Sequence, residues 1–130
     1  MMRNVWFFLC IAAVLLTACG EKPTPEAAAM ASAQQYYEQL MDGDYEAFVM
    51  GQADAERYPE SFRQQLITAT KQFVAQLDQR GGICSITSSR ALMDSTLQLM
   101  QVYMLISYAD STQEEIVVPM VERDGEWKMK

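Results

Sequence analysis

Apolar and polar positions follow three different patterns along this chain, and each pattern predicts a different kind of element. Residues 5–16 are almost entirely apolar, and the run stops at "TACG", before a polar stretch marked by Pro23 and Pro25. It is shorter than the roughly 20 residues that span a bilayer. Residues 27–41 take up a helical period. Met30, Ala33, Tyr37, Leu40 and Met41 share one face, while Gln34, Gln35 and Glu38 fall mainly elsewhere. Thr24 suits the cap of this helix, with Pro25 at its first position, where no amide is needed. The helix is expected to end at "MDGD", with Gly43 in the left-handed position and Asp44 opening a second, short helix over "YEAFVMG". Residues 52–59 read as a polar connector. A third helix is expected over 60–79, with Phe62, Leu66, Thr70, Phe73 and Leu77 as its inner stripe, widened by Ile67 and Val74. Gly81-Gly82 stops it.

Beyond those glycines the period becomes strand-like. Residues 83–92 form one candidate strand. Residues 96–108 form a longer one, with Met100, Val102, Met104, Ile106 and Tyr108 in one register. Leu97, Leu99, Tyr103 and Leu105 occupy the other, so both faces are expected to be partly covered. "ADST" predicts a turn, and residues 113–123 a third strand. Pro119 lacks an amide donor, which points to an edge or a bulge. Asp124-Gly125 between strand patterns is a type I′ hairpin signature, followed by a short strand in which Trp127 and Met129 alternate with Lys128 and Lys130. Trp127 is expected in the core. Helices first and strands after predict an α+β domain, with N-terminal helices packed on a curved antiparallel β-meander.

The start of the chain bears on location. Arg3, the apolar run and the small residues 17–20 have the three-part layout of a secretory signal. Leu16-Thr17-Ala18-Cys19 resembles the lipobox of bacterial lipoproteins. The resemblance implies cleavage before Cys19, a diacylglycerol thioether on its sulfur, and often a third, palmitate-like chain on the new amino terminus. Two or more acyl chains hold a protein at a membrane where one does not. Gly20, in the sorting position, is not the aspartate that signals inner-membrane retention in enteric bacteria, which favours the outer membrane. The expected organisation is a signal peptide over 1–18, a lipidated tether over 19–26 and one α+β domain over 27–130.

Composition narrows the partners and the chemistry. Loss of Arg3 with the signal leaves 9 of the 10 basic residues against 17 acidic ones, a net charge of −8. Such a surface repels nucleic acid and anionic lipid. Cys10 leaves with the signal and Cys19 takes the lipid. Cys84 then stands alone, without an intramolecular disulfide, and is expected to be a small buried hydrophobe. The chain contains no histidine, which removes Cys-His pairs, Ser-His-Asp triads and histidine metal sites. Most of the methionines fall at core-periodic positions and read as packing, not as soft-metal ligands. Asp42, Asp44 and Glu46 alternate as in a calcium loop, but the later glycine and terminal glutamate of such a loop are missing.

Three stretches, "YYEQLMDGDYEAF", "LQLMQVYMLISYAD" and "VPMVERDGEWKM", together resemble the nuclear transport factor 2-like superfamily, also called cystatin-like or ketosteroid-isomerase-like. The likeness is greatest to its small lipid-anchored bacterial members, whose function is not assigned. The resemblance implies a cone, with helices in the hollow of a bent sheet. The superfamily holds isomerases, cyclases, binding proteins and assembly modules, so fold does not choose among them. The chain departs from the pattern: no clear short strand separates the second and third helices, and the last strand ends at Lys130, which bears on how closed a pocket can be. The QxVxG loop of cystatin inhibitors is absent.

An isomerase-type site would need a carboxylate base beside a tyrosine donor. Tyr36, Tyr37, Tyr103 and Tyr108 are candidate donors, and Asp94 and Asp110 candidate bases, but both aspartates sit in predicted turns, where Asp is common for local backbone reasons. The expected function is therefore a membrane-anchored, non-catalytic binding or accessory module of the bacterial cell envelope, facing the periplasm. Its expected partners are the membrane, through Cys19, and an envelope protein or a small apolar ligand. Tyr37 and Tyr103 are the expected polar contacts of a pocket, and no cofactor or metal is expected. The alternative is a small-molecule enzyme of the isomerase or cyclase type using a Tyr/Asp pocket.

Overall fold

The computed structural model describes residues 22–130. Cys19, Gly20 and the signal segment lie outside that range. Three helices are followed by four strands: α1 (Pro25–Met41), α2 (Tyr45–Met50), a 3-10 turn (Ala55–Arg57), α3 (Glu60–Asp78), β1 (Ile83–Asp94), β2 (Leu99–Tyr108), β3 (Gln113–Arg123) and β4 (Glu126–Met129). The strands form one antiparallel meander in the order β1-β2-β3-β4. The fold is α+β, with the helices against one face of a curved sheet. No helix among the described residues is long and apolar enough to cross a membrane.

Local chemistry sets most boundaries. The Thr24 side chain accepts from the Ala27 amide at 3.2 Å, and Pro25 fills the first helical position, so α1 starts two residues inside the expected tether. Gly43 takes φ +82°, and the Asp44 carboxylate caps α2 by accepting from the Ala47 amide at 3.1 Å. That cap accounts for the middle acid of the D-x-D-x-E run. Asp124 and Gly125 both have positive φ, 53° and 80°, as a type I′ turn requires. Nothing lies within 4 Å of a Cβ built on Gly125, so the demand there is conformational and not steric. Gly125→Val is expected to cost about 1–3 kcal/mol, the scale of left-handed strain; a melting curve matching the wild type would contradict this.

The core lies between α1 and the sheet. Ala29 and Ala33, four residues apart, make a flat strip that lets α1 approach the strands closely, and both are fully buried. Met100, Val102, Met104, Ile106 and Tyr108 of β2 face it, joined by Val118 and Met120 of β3 and Met129 of β4. Met30 and Met50 are half-buried, and Met41 and Met93 are exposed, so the packing role falls to Met100, Met104, Met120 and Met129.

Several elements depart from the expected pattern. The inner stripe of α3 is mostly not inner. Only Leu77 is buried, while Phe62 and Phe73 are exposed. A four-stranded sheet already covered by α1 has little room for a second long helix, and α3 meets α2 and reaches the core at its last turn. Gln34 faces inward. Its side chain donates to the Ile86 carbonyl at 2.6 Å and accepts from the Ser88 amide at 2.7 Å, taking up two backbone groups of the edge strand β1. Pro119 sits in an interior strand. Its carbonyl accepts from the Lys130 amide at 2.9 Å, so its missing donor faces the side on which β4 has ended. The strand missing from the connector is present as a single parallel bridge, Gln52 to Met129. Cys84 is exposed and not buried, because the β1–β2 register slips between Ile83 and Ser85 and leaves it in the bulge. Trp127 packs against the core but is only half-buried.

Candidate apolar binding site

At the end of the sheet where β1 begins and β2 ends, α3 stands off the strands and leaves a hollow of about 240 Å³. Tyr37 and Leu40 of α1 form one wall, and Phe73 and Leu77 of α3 form another. The floor is Ile83 and Ile86 of β1, Ile106 and Tyr108 of β2, and Ile116 of β3. The strand register explains this lining. Ile106 pairs with Ile86 on one side and with Glu114 on the other, so these side chains share a face.

Arg80 and Glu114 bring charge to the rim. The Tyr108 hydroxyl donates to Glu114 Oε2 at 2.7 Å, the Arg80 guanidinium lies 4.2 Å from the Tyr108 ring centre, and Arg80 Nη1 is 3.6 Å from Glu114 Oε2. Burial pushes the Tyr108 pKa above the usual tyrosine value, and its hydrogen bond to Glu114 and that residue's charge act in the same direction, against the charge of Arg80. Tyr108 is therefore a firm donor at neutral pH. Glu114 is about half exposed and Arg80 only slightly less so, which makes their ion pair a weak, solvent-screened one.

Of the two tyrosines singled out in the sequence, Tyr37 lines the hollow, where burial also raises its pKa and Phe48 packs against it edge to face at 5.2 Å. Tyr103 lies on the opposite face of β2, with the Arg90 guanidinium 3.9 Å from its ring centre. Odd-numbered positions of β2 point away from the helices, and Tyr108 takes the place expected of Tyr103. Tyr36 is spent on structure, donating to the Trp127 carbonyl at 2.6 Å.

Neither candidate base enters the hollow. Asp94 Oδ1 accepts from the amides of Thr96 and Leu97, both at 3.1 Å. Asp110 accepts from the amide and hydroxyl of Thr112, bonds that hold its carboxyl below the usual carboxylate range. Both serve their own turns. A larger depression of about 410 Å³ on another part of the surface is lined by Asp54, Arg57, Arg123, Glu126 and Lys128, charges of both signs with little apolar surface among them. Among the described residues no cluster of three or more Cys, Asp or Glu side chains is arranged to hold a metal.

Tyr108 is among the candidate donors of the sequence, whereas nothing in the sequence alone marks Arg80 or Glu114. Tyr108 ends the buried register of β2, and pairing β2 with β3 through the "ADST" turn places Glu114 beside it. Arg80 carries no such signal, since only the fold brings the end of α3 over the strand.

No protein-family model matches the chain, and no curated protein matches it. Among solved structures it is similar to a Campylobacter jejuni protein provisionally named an NTF2-like transpeptidase, determined at 2.00 Å resolution. The TM-score is 0.59 and the identity 13%, over 75% of this chain and 92% of that one. Likeness at that identity concerns the fold alone, which is NTF2-like.

Proposed function

We propose that this protein is a lipid-anchored, non-catalytic binding module of the bacterial cell envelope. In this reading Cys19 holds it at the membrane, the outer membrane being favoured by Gly20, and the folded domain faces the periplasm. The hollow between α3 and the sheet takes a small apolar ligand. The observation that carries the reading is the composition of that hollow. Its walls and floor are aliphatic and aromatic, and its charged groups stand at the rim, already paired with one another. A site of this kind binds an apolar body and orients it with one or two polar contacts. The anchor rests on the lipobox-like Leu16-Thr17-Ala18-Cys19.

The test uses N-phenylnaphthylamine, whose emission rises in apolar surroundings. Phe73 is half exposed at the wall of the hollow, so Phe73→Glu changes the site without emptying the core. The wild-type protein is expected to enhance the probe's emission saturably, and Phe73→Glu to weaken binding about tenfold or more, equivalent to roughly 1.4 kcal/mol. Equal binding by both proteins would place the probe elsewhere and remove the hollow from the reading.

The Tyr108–Glu114 hydrogen bond favours one alternative, an isomerase- or cyclase-type enzyme with Glu114 as base and Tyr108 as donor. Against it, Glu114 stands half exposed at the rim, already ion-paired with Arg80, and not inside the apolar hollow.

A further inference from the structure

The opposite end of the sheet from the hollow carries a different feature. The turn between β1 and β2, residues 95–98, presents Leu97 at its apex, 59% exposed, where small polar residues are usual. Beside it Leu92 and Met93 are 51% and 52% exposed. The apex is held in place, because the Asp94 carboxylate accepts from the Leu97 and Thr96 amides. Pro25, the first residue of α1, lines the same groove as Met93 and Ser95. Only five residues, six Cα–Cα steps, separate Cys19 from Pro25. A fully extended chain spans at most about 3.3–3.6 Å per residue, so Cys19 lies within roughly 20 Å of this groove. An acyl anchor there brings the apolar turn down to the bilayer.

We propose that the β1–β2 turn is a membrane-contacting wedge, with Leu97, Leu92 and Met93 seated in the lipid interface. The proposal rests on Cys19 lipidation and adds an orientation to it. β2 runs from the turn to the hollow, and nine steps of about 3.4 Å place the two roughly 30 Å apart. The hollow is thereby turned away from the membrane and opens to the aqueous compartment. The contact is apolar, with Asp94, Glu122 and Arg123 near it mixing both signs, so it does not depend on anionic lipid.

The test reconstitutes the lipidated full chain into phosphatidylcholine vesicles. With Cys84→Ser removing the exposed thiol, nitrobenzoxadiazole is attached at Ser95→Cys, beside the wedge, or at Gln113→Cys, at the far end of the sheet. Interfacial wedges reach about 5–10 Å into the boundary of headgroups and acyl chains. A doxyl-lipid quencher near the headgroup is therefore expected to remove most of the emission from Ser95→Cys and little from Gln113→Cys, and adding Leu97→Asp should restore the former. Vesicle flotation without preferential quenching at Ser95→Cys would overturn the wedge and leave the anchor standing. Failure to float would overturn both. Quenching at Ser95→Cys that Leu97→Asp does not change would also overturn the wedge, since proximity through the tether alone would explain it.

Discussion

Cys19→Ala is expected to abolish incorporation of an alkynyl fatty acid into this protein during growth. Cys19 alone among the three cysteines follows a lipobox-like tripeptide; Cys10 lies inside the apolar run and Cys84 in a strand bulge. Each methylene buried in a bilayer is worth about 0.8 kcal/mol, so loss of two or three chains is an all-or-none change in membrane attachment. Label that persists in Cys19→Ala and disappears in Cys84→Ser would mean that the exposed thiol of β1 is the acylated one. Sucrose-gradient fractionation of the labelled wild type would then decide between the two membranes, with the outer one expected.

The second large effect is expected at Met104. Its side chain is fully buried, in the cluster that also holds Ala29, Ala33 and Met100. Its cross-strand partners are Ser88 and Ile116. Truncating a buried methionine to alanine removes its transfer energy and leaves a cavity, a cost of about 2–5 kcal/mol. A domain of this size has a total stability of about 5–15 kcal/mol. At roughly 4–8 °C per kcal/mol the melting temperature should fall by about 10 °C or more. Exposed Met41→Ala should change it little, and equal shifts in the two variants would mean that the core is misassigned.

These predictions depend on features of unequal visibility in the sequence. The hairpin at Asp124-Gly125 was legible because its backbone demand is local. The buried register of β2 was legible because five apolar residues repeat at period two. The α3 stripe has just as clear a period, yet the helix lies half exposed. Amphipathicity states which face is apolar, and whether any surface is there to cover it depends on the width of the sheet. Gln34 is polar and falls off the apolar stripe of α1, yet it faces inward because the edge strand β1 presents backbone groups for it to pair. Pro119 pointed to an edge, and the chain meets that need by ending β4 one residue short of it. Tyr103 and Tyr108 differ only in parity along β2, and that parity decides which one lines the hollow. The rim pair of Arg80 and Glu114 joins the turn after α3 to β3, with β1 and β2 between them in the chain, a juxtaposition with no local signature.

The hollow as a binding site is tested most directly by what it holds in its native setting. Lipidated wild-type protein and the Phe73→Glu variant would be purified in parallel from their own envelopes, and the small molecules retained by each identified by mass spectrometry. The expected result is an apolar compound present with the wild type in near-stoichiometric amount and depleted from Phe73→Glu, at equal folded content by circular dichroism. The same compounds in the same amounts on both proteins would contradict a ligand in the hollow.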